Sequence, residues 1–275
     1  MSRRMIPAVV RTRDTCRLRT TLRSPRMSHP TPRTALVTGG TSGIGEAVAL
    51  ALHALGHRVV VTCLDGVEDP AAWRDAQAAA GRAFRVEPVD VAEHDSCQAM
   101  AKRLRDAGIE IDILVNNAGI TRDATFRKME KAQWDAVLRT DLDSMFNVSK
   151  PFIDGMAARG WGRVVNISSV NGTKGQFGQT NYSAAKAGVQ GFTKALAQEM
   201  ARKGVTVNSV SPGYVGTAMV MAMKPDILES IVGQVPMGRL GKPAEIAATV
   251  AFLCSEGAAY ITGADIAVNG GQHMG

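Results

Sequence analysis

Hydrophobic residues in this chain cluster in short, almost continuous runs. Longer stretches of mixed apolar and polar residues lie between these runs. The runs are rich in valine, isoleucine and leucine, which is typical of strands buried on both faces of a sheet. They predict about seven strands, near residues 34–38, 58–62, 82–87, 111–115, 163–167, 205–209 and 264–268.

The stretches between these runs carry helical patterns that end at glycines. We expect short helices within a loop over 211–242 and one long helical stretch that ends near residue 159. The other predicted helices cover residues 43–55, 70–80, 93–107, 180–203 and 243–255. Strands that alternate with helices indicate an α/β protein, with a doubly wound parallel sheet and helices on both faces.

The positive charge of the chain is concentrated before the first predicted strand. The formal net charge is +7, but residues 1–33 hold nine Arg and one acidic residue, and residues 34–275 sum to −1. We expect residues 1–33 to be a disordered Arg-rich extension and residues 34–275 to form one domain. The composition of this extension resembles that of an organellar transit peptide. The alternative interpretation is that the protein starts at Met27 and that the first 26 residues come from an over-extended reading frame. Because the charge lies in the extension, it does not indicate a nucleic-acid partner.

Cysteine spacing and hydropathy limit the location of the protein and its partners. The four cysteines are far apart, without a CxxC pair or a Cys/His cluster, so we expect no metal site. Scattered thiols in a large domain are typical of a reducing compartment, and we expect a cytoplasmic protein. Since no apolar run reaches the ~18 residues that span a bilayer, we expect no membrane partner.

A glycine-rich turn follows the first predicted strand and opens the first helix. Gly39, Gly43 and Gly45 have the spacing TGxxxGxG. Glycine lets the backbone approach a pyrophosphate, and the N-terminus of a helix offers free N–H groups to it. With a strand before it and a helix after it, the turn favours a Rossmann-like dinucleotide site over a plain tight turn. The motifs at 90–91 and 117–119 end at the same edge of the sheet.

Three residues form a candidate acid–base group. Tyr182 and Lys186 are four positions apart in a predicted helix, and therefore share one face. A tyrosine has a pKa near 10, and we expect the lysine ammonium to lower that pKa. Ser169, at the end of the fifth predicted strand, could donate a hydrogen bond to a carbonyl oxygen. Such a group can polarise a C=O bond, which accepts a hydride at carbon and a proton at oxygen.

These motifs occur in the order found in the short-chain dehydrogenase/reductases, and residues 34–275 resemble that family. The resemblance is closest to the acetoacetyl-CoA reductase branch of polyhydroxyalkanoate synthesis. It implies a Rossmann-type catalytic domain that reduces acetoacetyl-CoA, or a related 3-oxoacyl thioester, to (R)-3-hydroxybutyryl-CoA. It also implies a nicotinamide cofactor and a homotetramer. The stretches that carry the branch resemblance are residues 117–123, 126–129, 160–163, 166–172, 174–182 and 269–275.

The resemblance also implies roles for individual residues. Tyr182 would be the general acid, Lys186 would bind the nicotinamide ribose and tune Tyr182, and Ser169 would orient the carbonyl. Besides Tyr182 and Lys186, the implied cofactor-binding residues are Gly39, Thr41, Ser42, Gly43, Ile44, Gly45, Asp65, Asp90, Val91, Asn117, Ala118, Gly119, Pro212, Gly213 and Val215. The implied substrate-binding residues are Asp123, Gln176, Phe177, Gln179, Gly213, Tyr214 and Lys224. For Lys224, a solvated surface charge is an equally good interpretation.

Asp141 departs from the family pattern. Many relatives have an asparagine there, which helps to hold a proton-relay water near the lysine. An ionised aspartate accepts hydrogen bonds but cannot donate them, and its charge would attract Lys186. We therefore include Asp141 among the catalytic residues, in an altered relay.

A second departure concerns the choice between NADPH and NADH. The family usually uses NADPH, whose 2′-phosphate needs a nearby cation. This chain has Ser42 in the turn, and Asp65, Glu68 and Asp69 after the second strand. Acidic residues at that place suit a free 2′-hydroxyl, although Arg74 could compensate. The residues favour NADH and the family favours NADPH, so both stay open.

Two other functions fit the same motifs. A 3-oxoacyl-[acyl-carrier-protein] reductase performs the same chemistry on a different thioester carrier. A non-catalytic dinucleotide-binding protein is the more remote alternative. It would need a disrupted catalytic set, whereas Ser169, Tyr182 and Lys186 are all present.

Overall fold

Seven parallel strands form one sheet in the order β3-β2-β1-β4-β5-β6-β7. The computed structural model describes residues 32–64, 66 and 69–274 (Met219 through its backbone alone). The disorder predicted for the extension up to residue 31 and the roles predicted for Asp65 and Glu68 lie outside the described residues. The strands are β1 Thr34–Val37, β2 Arg58–Cys63, β3 Phe84–Pro88, β4 Ile113–Asn116, β5 Gly162–Ile167, β6 Val205–Pro212 and β7 Asp265–Val268.

Ten α-helices accompany this sheet in the described part of the chain. They are α1 Gly43–Ala54, α2 Pro70–Ala79, α3 His94–Asp106, α4 Lys131–Leu138, α5 Ser144–Arg159, α6 Val170–Lys174, α7 Thr180–Met200, α8 Ala218–Met221, α9 Pro225–Gly233 and α10 Pro243–Leu253. Short 3₁₀ turns lie at Phe126–Lys128, Ala201–Lys203 and Glu256–Ala258.

The strands bury side chains on both faces of the sheet. On β1, Ala35 and Val37 pack into one core with α1 and α10, while Leu36 packs into the other with α3, α5 and α7. None of these three side chains is exposed. Because successive side chains of a strand point to opposite faces, two covered faces require a continuous apolar run. The predicted doubly wound α/β sheet is confirmed.

The long helical stretch predicted to end near residue 159 is wrong in its first part. After β4 the chain forms a loop, and helix α4 begins only at Lys131. A π-helical turn, Arg139–Asp143, then joins α4 to α5. A π turn adds one residue to a helical turn, which a pattern of apolar positions hardly distinguishes from regular helix, and such turns are frequent at functional sites.

The order of the strands opens a crevice at the carboxyl edge of the sheet. Strand β1 pairs with β2 on one side and with β4 on the other. The chain leaves β1 toward β2 and leaves β4 toward β5, on opposite sides. The two connecting segments therefore diverge and leave a crevice between them. Ligands of open α/β sheets bind at this kind of switch point.

Membrane-spanning helices, metal-binding clusters and cysteine thiols can be assessed for residues 32–64, 66 and 69–274. No helix there is long and apolar enough to cross a membrane, and no cluster of His, Cys, Asp or Glu side chains could hold a metal. Cys97 and Cys254 are buried free thiols, and Cys63 is also buried. Burial raises the pKa of Cys97 and of Cys254 to about 12, so both thiols are unreactive.

Candidate active site

A cavity of about 740 Å³ lies over the carboxyl edge of the sheet. Its wall comes from the segments that follow β1, β2, β3, β4, β5 and β6. A volume in this range is typical of sites that bind a cofactor or another small molecule.

Three glycines in the turn after β1 meet two different steric demands. Gly39 and Gly43 have positive φ angles of 59° and 57°, which favour glycine. A Cβ atom at Gly45 would lie 2.1 Å from the carbonyl oxygen of Gly39, so only glycine allows this close packing. The turn leads into α1, whose N-terminal N–H groups can bind an anion. The turn therefore fits the pyrophosphate of a dinucleotide.

Thr38 joins the turn after β1 to the loop after β4. Its Oγ1 atom accepts hydrogen bonds from the backbone N–H groups of Asn117 and Ala118, at 2.9 and 3.0 Å. The Nδ2 atom of Asn117 donates in return to the carbonyl oxygen of Thr38 at 2.9 Å. The sequence analysis missed this role of Thr38. The polar residue that ends an otherwise apolar strand is the feature that could have indicated it.

Most of the cofactor-binding residues predicted from the sequence contribute to the cavity wall. Thr41 and Gly45 are not part of the wall, and Asp65 lies outside the described residues. The members of the wall are Gly39, Ser42, Gly43, Ile44, Asp90, Val91, Asn117, Ala118, Gly119, Tyr182, Lys186, Pro212, Gly213 and Val215. Their contacts with a cofactor stay predictions.

Two charged residues after β2, Asp69 and Arg74, have partners that the sequence analysis did not predict. Asp69 is the N-cap of α2, and its Oδ1 atom accepts hydrogen bonds from the N–H groups of Ala71 and Ala72 at 3.1 and 3.0 Å. Its charge therefore stabilises the start of a helix. Arg74 pairs with its neighbour Asp75 at 3.3 Å and is not part of the cavity wall, and its role as a compensating cation stays a prediction.

Ser169, Tyr182 and Lys186 lie together at the wall of the cavity. Ser169 is the N-cap of α6, and Tyr182 lies in the first turn of α7, where its side chain hydrogen-bonds with Ser169. One turn later, Lys186 has its Nζ atom 5.4 Å from the centre of the Tyr182 ring. This Nζ also donates to the carbonyl oxygen of Ile167 at 3.1 Å.

Burial dominates the ionisation of Tyr182. It raises the pKa of the phenol, and the charges of Asp141 and Asp123 raise it further. The Lys186 ammonium lowers this pKa, as expected from the sequence, and so does the Ser169 hydrogen bond, but they do not outweigh burial. The expected net decrease is therefore wrong in this structure. A phenol that keeps its proton at neutral pH is suited to act as an acid.

Asp141 lies in the π-helical turn between α4 and α5 and has no exposed surface. Its Oδ2 atom is 3.1 Å from Nζ of Lys186, which is 3% exposed. Its Oδ1 atom accepts a hydrogen bond from the N–H of Ile120 at 2.8 Å. Burial raises the pKa of Asp141, and the carboxylate raises the pKa of Lys186 against the effect of burial.

Four of the predicted substrate-binding residues also border the cavity, namely Asp123, Gln179, Gly213 and Tyr214. Gln179 donates from Nε2 to Asp123 at 2.8 Å, and its Oε1 accepts from Nδ2 of Asn171 at 2.9 Å. The backbone N–H of Asn171 donates to Oγ of Ser169 at 3.1 Å. Hydrogen bonds thus connect Asp123 and Gln179, through Asn171, to Ser169, which is the predicted catalytic serine.

The structure does not bring the other three predicted substrate residues to the wall. Phe177 is 86% exposed, because the loop between α6 and α7 turns it outward between Gly175 and Gly178, both with positive φ angles. Lys224 is an exposed residue at the N-cap of α9. Gln176 lines a neighbouring cavity of about 430 Å³, which it shares with Tyr214. Their substrate contacts stay predictions.

Among the polar wall residues that the sequence analysis did not predict are Asn171, Arg139 and Glu93. Asn171 follows Ser169 by two positions, and this spacing from the serine could have indicated it. Arg139 forms an ion pair with Glu93 across the cavity wall. Their separation of 46 residues explains why no local pattern revealed the pair.

Comparisons with known proteins agree with this geometry. A family model described as enoyl-(acyl carrier protein) reductase matches residues 39–273. An acetoacetyl-CoA reductase of Cupriavidus necator is 55% identical, with 89% of this chain and 100% of the relative covered. Nodulation protein G of Azospirillum brasilense is 56% identical, with coverages of 86% and 96%. A 3-oxoacyl-[acyl-carrier-protein] reductase of Pseudomonas aeruginosa is 43% identical, with coverages of 88% and 98%.

The glycine-rich turn, the parallel sheet and the Ser–Tyr–Lys group occur together in this chain, in the arrangement that the sequence resemblance implied. The family match and the similarity to these relatives each extend over more than four-fifths of its length. The chain belongs to the short-chain dehydrogenase/reductase family.

Proposed function

We propose that the protein reduces acetoacetyl-CoA to (R)-3-hydroxybutyryl-CoA with hydride from a nicotinamide cofactor. The observation that carries the proposal is the convergence of Ser169, Tyr182 and Lys186 on one cavity beside the glycine-rich turn. The family implies the nicotinamide cofactor. The substrate is inferred from the branch resemblance and from the 55% identical acetoacetyl-CoA reductase.

The turn after β1 has the shape that a dinucleotide requires. Cβ atoms at Gly39 and Gly45 would fill the space beside Asn117, at 3.3 and 2.5 Å from its Nδ2 atom. The turn and the N-terminus of α1 would hold the pyrophosphate, and Lys186 would bind the nicotinamide ribose. When bound, the nicotinamide supplies the hydride.

The residues of this chain supply orientation and the proton. The Ser169 hydroxyl donates a hydrogen bond to the 3-keto oxygen and holds the carbonyl near Tyr182. As the hydride reaches C3, electron density moves to this oxygen, and the Tyr182 hydroxyl transfers its proton there. The Lys186 ammonium stabilises the resulting phenolate, which regains a proton before the next turnover.

The identity of the thioester carrier is tested by comparing initial rates. Acetoacetyl-CoA and acetoacetyl-acyl-carrier-protein would be supplied over the same concentration range with the same cofactor. We expect the higher kcat/KM for the CoA thioester, since the carrier-protein reductase is the less similar relative. A higher value for the carrier-protein thioester would assign the chain to fatty acid synthesis instead.

The cavity wall supports a preference for NADH over NADPH. The cations in its described part are Arg122, Arg139 and Lys186, and none of them follows β2, where a 2′-phosphate would need one. We propose a higher kcat/KM with NADH, and a preference for NADPH of about tenfold or more contradicts it. Leu64 is a half-exposed wall residue directly after β2, so Leu64→Arg should improve kcat/KM for NADPH selectively.

The proposal also covers the pathway, the cellular compartment and the oligomeric state of the enzyme. The reaction would supply the hydroxyacyl-CoA for polyhydroxybutyrate synthesis, in the cytoplasm and as a homotetramer of one Rossmann-type domain per chain. The buried free thiols support a reducing compartment. Light scattering of the purified full chain tests the assembly, and a monomer mass near 29.1 kDa would contradict it.

A further inference from the structure

The carboxylate of Asp141 is held in place by contacts from two segments of the chain, helix α7 and the loop after β4. Besides Lys186 and the Ile120 N–H, it lies against Gly119, where a Cβ atom would be only 2.7 Å from Oδ2. The loop after β4 therefore needs glycine at 119 to leave room for this carboxylate. Such a close fit around a charged atom indicates a defined position for the ion pair.

An asparagine in this position would keep much of the same geometry. Its side-chain oxygen could still accept the Ile120 hydrogen bond, and its volume is almost that of aspartate. It would, however, carry no charge next to Lys186 and Tyr182. The specific contribution of aspartate at 141 is therefore electrostatic, and it acts at a site with little water to screen it.

We propose that Asp141 is a positioning residue, which in its ionised form holds the Lys186 ammonium by a direct ion pair and disfavours the Tyr182 phenolate. This inference rests on the proposed function, and it assigns to Asp141 a part in the proton transfer that an uncharged asparagine at this position could not take.

The charges that face Tyr182 come from three elements. Lys186 on α7 favours the phenolate, while Asp141 in the π turn and Asp123 in the loop after β4 oppose it. Reduction requires the protonated phenol, and oxidation of the alcohol requires the phenolate. Asp141 therefore raises the pH at which Tyr182 loses its proton, and the pH dependence of both reduction and oxidation moves to higher pH with it. At neutral pH it keeps Tyr182 ready to donate a proton to a ketone.

The test titrates Tyr182 directly by the ultraviolet absorbance of tyrosinate. The difference between the full chain and Tyr182→Phe isolates the signal of this residue from those of the other two tyrosines. The same difference is recorded in the Asp141→Asn and Asp141→Ala backgrounds. We expect the midpoint to move to lower pH in both. An unchanged midpoint, or one at higher pH because Lys186 loses its proton, overturns the proposal.

The matched control is Asp143→Asn, which removes the same charge from an exposed position of the same π turn. Its midpoint and its kinetics should match those of the unmodified chain. A purely structural role of Asp141 would predict lower thermal stability, most of all in Asp141→Ala, with an unmoved midpoint. Thermal unfolding of each variant separates these outcomes.

Kinetics then connect the titration to the reaction. In Asp141→Asn, kcat/KM for oxidation of (R)-3-hydroxybutyryl-CoA at pH 7 should rise about threefold or more, because more of the enzyme holds a phenolate. The titration needs no substrate, so it still reports on Asp141 if the proposed function is wrong. A chain that reduces acetoacetyl-CoA but shows no shift contradicts only the role of Asp141.

Discussion

At the scale of single residues, burial decides the chemistry of this site. The Tyr–Lys spacing predicted a tyrosine with a lowered pKa, but the structure buries the phenol and raises this pKa instead. Lys186 stays cationic because Asp141 offsets the cost of its burial. The residue types therefore indicate which groups take part, and their surroundings decide which of them keeps the proton.

The raised pKa of Tyr182 predicts the pH dependence of the reductase. A proton donor is active below its pKa, so reduction should lose activity only as the pH rises through the raised value. We expect kcat/KM for the ketone to stay nearly constant between about pH 6 and pH 8 and to fall in the alkaline range. A profile of initial rates against pH checks this, and a fall centred near pH 7 would contradict it.

The buried thiols predict chemical inertness of the folded protein. Because burial raises the pKa of Cys97 and Cys254 to about 12, almost no thiolate forms at about pH 8. Alkylation with iodoacetamide should leave both residues unlabelled in the native protein and label both in denaturant. Peptide mass spectrometry reads the result, and rapid labelling of either native thiol would contradict the burial described.

At the scale of elements, the sequence predicted regular structure well and special turns poorly. The apolar runs located the strands of the sheet, and β1, β2 and β4 most directly, because strands covered on both faces are rich in apolar side chains. The loop before α4 and the π turn around Asp141 were missed, because their form depends on partners distant in the chain. Ile120 and Lys186, for example, fix Asp141 from 21 and 45 residues away.

The contact between α6 and α7 predicts opposite effects of two glycine substitutions. A Cβ at Gly172 would lie 2.8 Å from the backbone carbon of Lys186, whereas Gly191 in α7 has open space around it. We expect Gly172→Ala to destabilise the fold by about 1–3 kcal/mol. Gly191→Ala should stabilise it by about 0.5–1 kcal/mol. Denaturant unfolding measures both, and equal effects would contradict this packing.

At the scale of the whole molecule, the topology of the sheet assembles the site. The cavity collects residues from 39 to 223, since the strands that precede these segments all end at one edge. The net charge of the chain is a poor guide to this site, because its excess lies in residues 1–33. For those residues, a transit peptide and a start of the protein at Met27 both stay predictions.

The division into extension and domain predicts the effect of a truncation. A chain that starts at Met27 keeps Arg33, whose backbone N–H donates to Nδ1 of His57 at 3.2 Å, and keeps the whole of β1. We expect it to retain kcat/KM within about twofold and the same thermal unfolding temperature. A chain that starts after β1 should fail to fold, since an interior strand of the sheet, which pairs with both β2 and β4, is then missing. A loss of activity in the Met27 form would contradict the proposed division.

In the proposed reaction, Tyr182 protonates the 3-keto oxygen of acetoacetyl-CoA while a nicotinamide supplies hydride. The most direct measurement follows the initial rate of acetoacetyl-CoA reduction by the full chain and by Tyr182→Phe, with chiral analysis of the product. We expect (R)-3-hydroxybutyryl-CoA from the full chain and a kcat/KM lower by about two to four orders of magnitude in the variant. Reduction by the variant at an undiminished rate, or no reduction by the folded full chain with either cofactor, would contradict the claim.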